Sequence, residues 1–402
     1  MGVESFSVDV GLMVKCSDGS VERYLGGAVL RCNNMNYYVT PLNPPREVKL
    51  HDHGNSMALS STALYVGYWT SLGIIDMLNP NTLDIVRTFK APRGRNKIYA
   101  LALSSTALYV GYWTSPGIID MLDPNTLDII NTFKAPSGHN LIHALALSNT
   151  ALYVGYWTKP GIVDVLDSNT LNVINTFNAP SGHNKIIDLA LSSTALYIGY
   201  HTHPGVIDMI KPNTLDMINT FKAPSDRYKI QALALSSTAL YVGYWTNPGI
   251  VDMLDPNTLD IINTVKAPIG HHGVNALALS STALYVGYST SPGIVDMIDP
   301  NTLDVIHSFK APSGHNIIHI ITVSSTALYV GYVTAPAIID VLNSSTLELI
   351  NDVSPCCDGF VVSNGGNTLI KRVYDNDYII ITPISDNSVQ VDYRVYSFIK
   401  TT

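Results

Sequence analysis

The sequence predicts an all-β protein, a seven-bladed β-propeller with a small β subdomain formed by the N- and C-terminal tails. Three observations predict it: a fixed internal period, four strand-like segments in each period, and the composition of a well-buried β protein. Of the 402 residues, 46% are apolar and only 13% are charged. Tyrosine, threonine, isoleucine and valine are abundant, and these residues fill pleated sheets.

The period is marked by the first tyrosine of each Leu-Tyr-Val-Gly-Tyr segment or its close variant, which recurs every 44 residues. The unbroken spacing leaves no room for insertions, and it sets the number of repeats at seven. The marker residues are Tyr65, Tyr109, Tyr153, Tyr197, Tyr241, Tyr285 and Tyr329.

Each repeat contains four short runs of β-branched and aromatic residues that are separated by turn residues, as in residues 98–136. Such runs predict four antiparallel strands. Between the third and fourth runs, Pro124 suits the second position of a type I turn, and Asp123 before it can accept hydrogen bonds from the backbone ahead. A four-stranded unit of about 40–45 residues is typical of a propeller blade. The alternative is an open solenoid, but seven units of identical length favour a closed ring.

The repeats divide the chain into three predicted parts: an N-terminal β tail (1–46), the propeller (47–354) and a C-terminal β tail (355–402). Because a ring brings its first and last blades together, we expect the two tails to pack with each other. The four cysteines all lie in the tails. They are either free or structural thiols, or they join the tails through a disulfide from Cys16 or Cys32 to Cys356 or Cys357.

The repeat resembles the YVTN-type β-propeller repeat. The resemblance is carried by Leu-Tyr-Val-Gly-Tyr, Gly-Ile-Ile-Asp and Asp-Pro-Asn-Thr-Leu-Asp-Ile-Ile-Asn-Thr-Phe, and it covers residues 55–353. The chain departs from the family pattern at Gly67 and Tyr68, where that family usually carries Thr-Asn. The resemblance implies a propeller fold and, among the roles of such proteins, a surface or interaction module.

Charge and hydropathy exclude several classes of partner. The net charge is -8 without a basic block, so the electrostatic field repels a phosphate backbone, and we expect no nucleic-acid partner. No apolar run approaches the ~20 residues of a membrane span. The first residues lack the features of a signal peptide. We therefore expect a protein of the cytoplasm or of a virion surface, without membrane insertion.

Variation among the repeats concentrates at one predicted end of the ring, where the loops between the second and third strands meet the loops that join successive blades. All four tryptophans occupy one position there, at the end of the second strand: Trp69, Trp113, Trp157 and Trp245. The other blades carry His201, Ser289 and Val333 at this position. A tryptophan there is either a flat contact surface for a protein or a sugar ring, or packing between blades.

A second set of residues lies in the loops between blades, just before the first strand. We expect it to form a polar, partly cationic collar at the mouth of the central channel, and neighbouring members to stand too far apart to share a metal ion. Its members are His51, Arg95, His139, His183, Arg227, His271 and His315.

Two further positions complete the pattern. The first strand carries a variable residue that we expect to face the channel: Asn55, Tyr99, His143, Ile187, Gln231, Asn275 or His319. The aspartate that ends each Gly-Ile-Ile-Asp segment or its variant is present in every repeat, which fits a structural hydrogen-bonding role. These aspartates are Asp76, Asp120, Asp164, Asp208, Asp252, Asp296 and Asp340.

These observations favour a non-enzymatic recognition or structural module that binds a protein or a glycan, with no cofactor, as in a virion surface or host-attachment protein. It could assemble with copies of itself or with other chains. The alternative is an enzyme with a metal- or cofactor-dependent site at the channel mouth. The sequence contains no nucleophile elbow, no phosphate loop and no obvious acid–base pair that interrupts the repeat.

Overall fold

The computed structural model describes residues 50–350 throughout; in the two tails and at the last strand of the ring it describes only the backbone of the strands. The N-terminal tail contains β1 (Leu12–Lys15), β2 (Val21–Tyr24), β3 (Val29–Cys32) and β4 (Met35–Pro41). The ring contains β5 (Gly54–Leu59), β6 (Leu64–Tyr68), β7 (Ile74–Leu78), β8 (Ile85–Lys90), β9 (Ile98–Leu103), β10 (Leu108–Tyr112), β11 (Ile118–Leu122), β12 (Ile129–Lys134), β13 (Ile142–Leu147), β14 (Ala151–Tyr156), β15 (Ile162–Asp167), β16 (Val173–Asn178), β17 (Ile186–Leu191), β18 (Leu196–Tyr200), β19 (Val206–Ile210), β20 (Met217–Lys222), β21 (Ile230–Leu235), β22 (Leu240–Tyr244), β23 (Ile250–Leu254), β24 (Ile261–Lys266), β25 (Val274–Leu279), β26 (Leu284–Tyr288), β27 (Ile294–Ile298), β28 (Val305–Lys310), β29 (Ile318–Val323), β30 (Ala327–Tyr332), β31 (Ile339–Asn343) and β32 (Leu349–Asp352). The C-terminal tail contains β33 (Gly359–Asn364), β34 (Asn367–Arg372), β35 (Asp377–Ser385) and β36 (Ser388–Val395).

The seven-bladed propeller predicted from the period is confirmed. Each blade is a sheet of four consecutive antiparallel strands, from β5-β6-β7-β8 in blade 1 to β29-β30-β31-β32 in blade 7. The first strands of neighbouring blades contact one another around the ring, and β29 of blade 7 contacts β5 of blade 1 in the same way. The part of the chain that the structure describes contains no helix that is long and apolar enough to cross a membrane.

Burial falls from the second strand outward. Every residue of the Leu-Tyr-Val-Gly-Tyr segment in β10 is buried, whereas the fourth strand β12 is mostly exposed. Glycine is required within the second strand because the next blade approaches it closely. A Cβ on Gly67 would lie 2.5 Å from Cγ2 of Ile98, the first residue of β9. The chain departs from the YVTN pattern at this glycine, and the close packing explains the small residue.

The turns follow the chemistry read from the sequence. Asp123 accepts hydrogen bonds from the backbone N–H groups of Asn125 and Thr126, at 2.8 and 2.9 Å. The leucine that follows, Leu127, adopts a left-handed conformation with φ of 62°. A left-handed leucine is unusual. It is compensated here by burial, since Leu127 is only 4% exposed.

The ring closes without a strand shared between the first and last blades. The marker tyrosine of each blade donates a hydrogen bond to a carbonyl in the turn between the third and fourth strands of the next blade, as Tyr153 does to Pro212 O at 3.2 Å. Across the closure, Tyr329 of blade 7 donates to Pro80 O of blade 1 at 2.9 Å. A backbone hydrogen bond between two loops also crosses the closure, since Ala337 N donates to His51 O at 2.9 Å.

Replacing Tyr329 with phenylalanine therefore tests closure directly. We expect a loss of about 1 kcal/mol in the free energy of unfolding, because one net hydrogen bond is lost and a buried carbonyl is left unpaired. Urea denaturation measures the loss. Tyr153→Phe, at an interface inside the ring, is the matched control and should cost a similar amount. An unchanged denaturation midpoint in Tyr329→Phe alone would show that the closure contact is not made.

The tail strands form a separate unit. The chain divides into two compact units, one of residues 1–47 with 353–402 and the other of residues 48–352. Within the first unit, β4 pairs with β33 in a four-stranded sheet of order β3-β4-β33-β34, so the two tails share one sheet. Cys16, Cys356 and Cys357 lie outside the described residues, as does the side chain of Cys32. The disulfide between the tails stays a prediction.

Candidate functional site at one face of the propeller

The two kinds of variable loop lie on one face, as the topology predicts. The loop after the second strand and the loop between blades are joined by backbone hydrogen bonds from Gly73 N to Arg95 O, at 2.8 Å, and from Lys97 N to Thr70 O, at 2.9 Å. At the opposite face the short turns meet, where Ser104, Ser148 and other residues line a cavity of about 330 Å³. We call the face that carries the variable loops the loop face.

The ring of histidines and arginines has a different position from the one expected. Instead of forming a collar at the mouth of the channel, each member pairs with the repeated aspartate of the third strand, and none lines the central cavity. His139 Nδ1 lies 2.7 Å from Asp164 Oδ2, and Arg227 binds Asp252 with Nε and Nη2 at 3.1 and 3.0 Å. The same pairing joins Arg95 to Asp120, His183 to Asp208, His271 to Asp296 and His315 to Asp340, and His51 stands 3.7 Å from Asp76.

The repeated aspartates have the structural role expected of them. All seven are completely buried. Asp164 also accepts hydrogen bonds from the hydroxyls of Tyr156, at 2.9 Å, and Thr176, at 2.7 Å. Burial, and then the charge of Asp164, hold the pKa of Tyr156 well above its ordinary value. In blades 2 to 7 the histidine or arginine thus belongs to a hydrogen-bonded cluster inside the blade, and this cluster explains why these residue types recur.

The variable residue of the first strand faces the channel, as predicted. All seven residues at this position line one central cavity of about 540 Å³ that also touches the loop face through Trp157, His201 and Trp245. Several of them bind the first strand of the next blade: Asn55 donates to Ile98 O at 3.1 Å, and His143 Nδ1 lies 2.9 Å from Ile187 O. The cavity wall is therefore a polar ring that also joins the blades.

The histidines of this cavity are held in the neutral form. Desolvation lowers the pKa of His143 to about 3 and that of His319 to about 4. The pKa of His201 is lowered to about 4, first by burial and then by Lys229 and Lys185. At neutral pH these imidazoles act as aromatic, uncharged hydrogen-bonding groups.

Sequence reasoning missed Asp188, the residue of the cavity that departs most from the repeat. Its carboxylate accepts hydrogen bonds from Leu189 N and from Leu233 N of the next blade, both at 2.8 Å. Desolvation raises its pKa to about 6, in spite of those two bonds. The signal was present in the sequence, because the other six repeats carry Ser56, Ala100, Ala144, Ala232, Ala276 and Ile320 at this position.

Three of the four tryptophans form an aromatic arc, which we define as Trp69, Tyr99, Trp113, His143 and Trp157. Tyr99 stacks on Trp113 with centroids 4.6 Å apart, and His143 stacks on Trp157 at 4.7 Å. Lysines cover two of these rings, Lys97 over Trp69 at 4.4 Å and Lys185 over Trp157 at 4.9 Å. For these three tryptophans, packing between blades accounts for most of the ring surface.

Trp245 differs from the others because its ring is open. It is 45% exposed, and among residues 50–350 it contacts no other aromatic ring. The lysines that cover Trp69 and Trp157 each follow their tryptophan by 28 residues, and the residue 28 positions after Trp245 is Gly273. With no side chain at Gly273, nothing at that position can cover the ring.

The open ring borders a surface pocket of about 340 Å³, which we call the Trp245 pocket. It is lined by Tyr228, Trp245, Asn247, His272 and Ser289, with Thr246 and Gly273. Tyr228 is 51% exposed and stacks on His203 at 4.6 Å. Two lining residues break the repeat, since Tyr228 and His272 replace the asparagine found in four other blades. Those asparagines are Asn96, Asn140, Asn184 and Asn316.

Within residues 50–350, no group of three or more histidine, cysteine, aspartate or glutamate side chains is placed to hold a metal ion. The seven His/Arg positions each face a different aspartate, and two neutral imidazoles of the cavity, those of His143 and His319, are directed at backbone or amide oxygens. His319 Nε2, for example, lies 2.8 Å from Asn55 Oδ1. The arrangement is built for hydrogen bonding and aromatic contact.

Comparison with known proteins supports the fold. No family model matches the chain, and no curated protein matches it either. Among solved structures, it is similar to the computationally designed Ika8 protein, with a TM-score of 0.58 at 15% identity over 80% of this chain and 97% of that one. It is also similar to U3-55K, with a TM-score of 0.59 at 14% identity over 73% of this chain and 91% of that one. The YVTN type of the repeat remains a prediction.

Proposed function

We propose that this protein is a non-enzymatic recognition module that binds a protein or a glycan through the Trp245 pocket on its loop face. The observation that carries the proposal is the exposed ring of Trp245, beside Tyr228 and His272, where the repeat is broken. A flat aromatic ring with a polar edge is enriched at protein interfaces, and the same face stacks on a sugar ring. Of the four tryptophans, Trp245 alone is exposed, whereas the other three are half-buried.

Packing also makes other parts of the loop face rigid. The aromatic arc is packed across three blades, and His143 within it is hydrogen-bonded to the next blade. A preorganised site loses little conformational entropy on binding. A rigid, weakly charged surface of this kind suits a host-attachment or virion surface protein.

The alternative function is an enzyme that uses the central cavity. The observation in its favour is Asp188, a carboxylate with a raised pKa that lies among neutral histidines. Among the described residues, however, no histidine is paired with Asp188: each of its oxygens accepts one backbone N–H, and His143 is directed at a backbone carbonyl. Turnover on a hydrolase substrate panel that is lost in Asp188→Ala would favour this alternative.

Truncation of Trp245 tests the proposed function. Ligands are first selected with the native protein on a glycan array and from a phage-displayed peptide library, and affinities are then measured by calorimetry. We expect Trp245→Ala to weaken binding about tenfold, as for a buried aromatic anchor. Trp113→Ala is the matched control: it removes a packed tryptophan at the equivalent position, and it should lower stability more than affinity. Equal affinity of the native protein and Trp245→Ala would refute the proposal.

A further inference from the structure

The central cavity has an unusual balance of charge. Among the described residues that line it, Asp188 is the only aspartate, glutamate, lysine or arginine. Its neighbours are the amides of Asn55, Gln231 and Asn275 and the uncharged imidazoles described above. Desolvation raises the pKa of its carboxyl, two backbone hydrogen bonds lower it, and no cation contributes to the shift. A desolvated carboxylate without a counter-charge is costly, and a cationic ligand would offset that cost.

We propose that the cavity binds the side chain of a lysine or arginine from a protein partner, with its cationic group at the carboxylate of Asp188. The inference rests on the proposed function and deepens it. The cavity and the Trp245 pocket share Trp245 and Ser289, so one bound protein segment reaches both.

The walls of the cavity suit a cation on an apolar stem. Trp157, Trp245 and Tyr99 contribute aromatic rings to the lining, and rings of this kind attract an ammonium or guanidinium group. Leu277, Ile320 and Ile321 supply apolar surface. An amino sugar carries the same charge but has hydroxyls in place of an apolar stem, and the apolar patch of Leu277, Ile320 and Ile321 would leave those that face it unpaired. The lining therefore favours a basic amino-acid side chain.

The space is ample for one side chain. A cavity of about 540 Å³ accommodates a lysine or arginine side chain together with some water. Lys185 and Lys97 lie over the rings of Trp157 and Trp69 and do not line the cavity. Of these charged groups, the carboxylate of Asp188 thus lines the cavity and the two lysines do not.

The pH dependence follows from the groups that face Asp188. With a pKa of about 6, its carboxyl is ionised at pH 7.5 and only about 3% ionised at pH 4.5. The imidazoles that line the cavity on neighbouring strands are His143, His201 and His319, with pKa values lowered to about 3, 4 and 4. Burial raises the pKa of Tyr99. The nearby cationic groups are Lys185 and Lys229, which act on His201, and His53, which acts on His319. Among the groups that line the cavity, the charge that changes most between pH 4.5 and 7.5 is therefore that of Asp188.

The test uses Nα-acetyl-lysine methylamide as the probe, titrated into the full chain and followed by NMR. We expect Asp188→Ala to weaken binding of the probe at least tenfold at pH 7.5, and the native protein to bind it about 30-fold more weakly at pH 4.5. Alanine is a matched replacement because four other blades carry it at this position. Asp188→Asn is the second variant, and it should lose binding while keeping the size of the side chain.

Neutral and sugar probes complete the test. Nα-acetyl-norleucine methylamide, which has a similar stem without the charge, should bind at least tenfold more weakly than the lysine probe. Equal binding of the two, equal binding by the native protein and Asp188→Ala, or no binding of the lysine probe would overturn the inference. Tighter binding of glucosamine than of the lysine probe would overturn its assignment to a protein side chain. If the lysine probe fails while Trp245→Ala still weakens binding of a selected ligand, the proposed function stands and this inference falls.

Discussion

Asp164→Ala is expected to lower the free energy of unfolding by about 3–5 kcal/mol. The buried carboxylate accepts from His139, Tyr156 and Thr176, at 2.7, 2.9 and 2.7 Å. Alanine leaves all three groups without this acceptor and opens a small cavity between them. Removing one partner from a buried polar network has a cost of this order, because each remaining group keeps its desolvation penalty.

The change is measured by chemical denaturation, and blade 1 supplies the matched control. Asp76 has the equivalent position, but His51 Nε2 stands 3.7 Å from it, too far for a hydrogen bond. We therefore expect Asp76→Ala to cost about 1 kcal/mol less than Asp164→Ala. A loss below about 1 kcal/mol in Asp164→Ala would show that the cluster does not hold the blade together.

Gly273→Lys is expected to weaken ligand binding at the Trp245 pocket about 30-fold, because it restores the cover that two sister repeats possess. Gly273 has a φ of +50°, and lysine already adopts this conformation at Lys97 and Lys185, with φ of 52° and 60°. A Cβ at Gly273 would lie 3.2 Å from Cε3 of Trp245, so the ring would shift by a few tenths of an ångström. The added ammonium then occupies the ring face that a ligand would use.

The measurement is the affinity for the selected ligand, together with acrylamide quenching of tryptophan fluorescence. We expect less quenching in Gly273→Lys and an unchanged circular dichroism spectrum. Lys97→Gly is the converse control: it uncovers Trp69 and should leave affinity at the Trp245 pocket unchanged. Full affinity in Gly273→Lys would mean that the exposed ring is not the contact surface.

The fold was predictable because the repeat leaves few alternatives. The spacing of the marker tyrosines fixed the number of blades, and turn residues such as Asp123 and Pro124 marked the ends of strands. The channel-facing position of His143 and its equivalents was also predicted, since a variable polar residue on an innermost strand has few other places to lie.

The histidine and arginine ring was misplaced for a physical reason. His139 precedes a first strand, so chain position puts its backbone near the axis. Its side chain turns instead to Asp164, which is 25 residues away in sequence and buried in the same blade. The hydrogen bond to the buried carboxylate of Asp164 stabilises this orientation of His139 more than hydration of the imidazole at the channel mouth would. Periodicity places a residue along a strand but does not tell which way a loop side chain turns.

By itself, the sequence determined the number of blades, the order of their strands and which loops share a face. A strict period and antiparallel connections are enough to set these three features. Tertiary structure decided which of four equivalent tryptophans is open and which carboxylate lies in the cavity. Trp245 is open because of Gly273, and Asp188 bonds to Leu233 of the next blade. Both outcomes depend on contacts between residues distant in sequence, which exist only once the blades have packed.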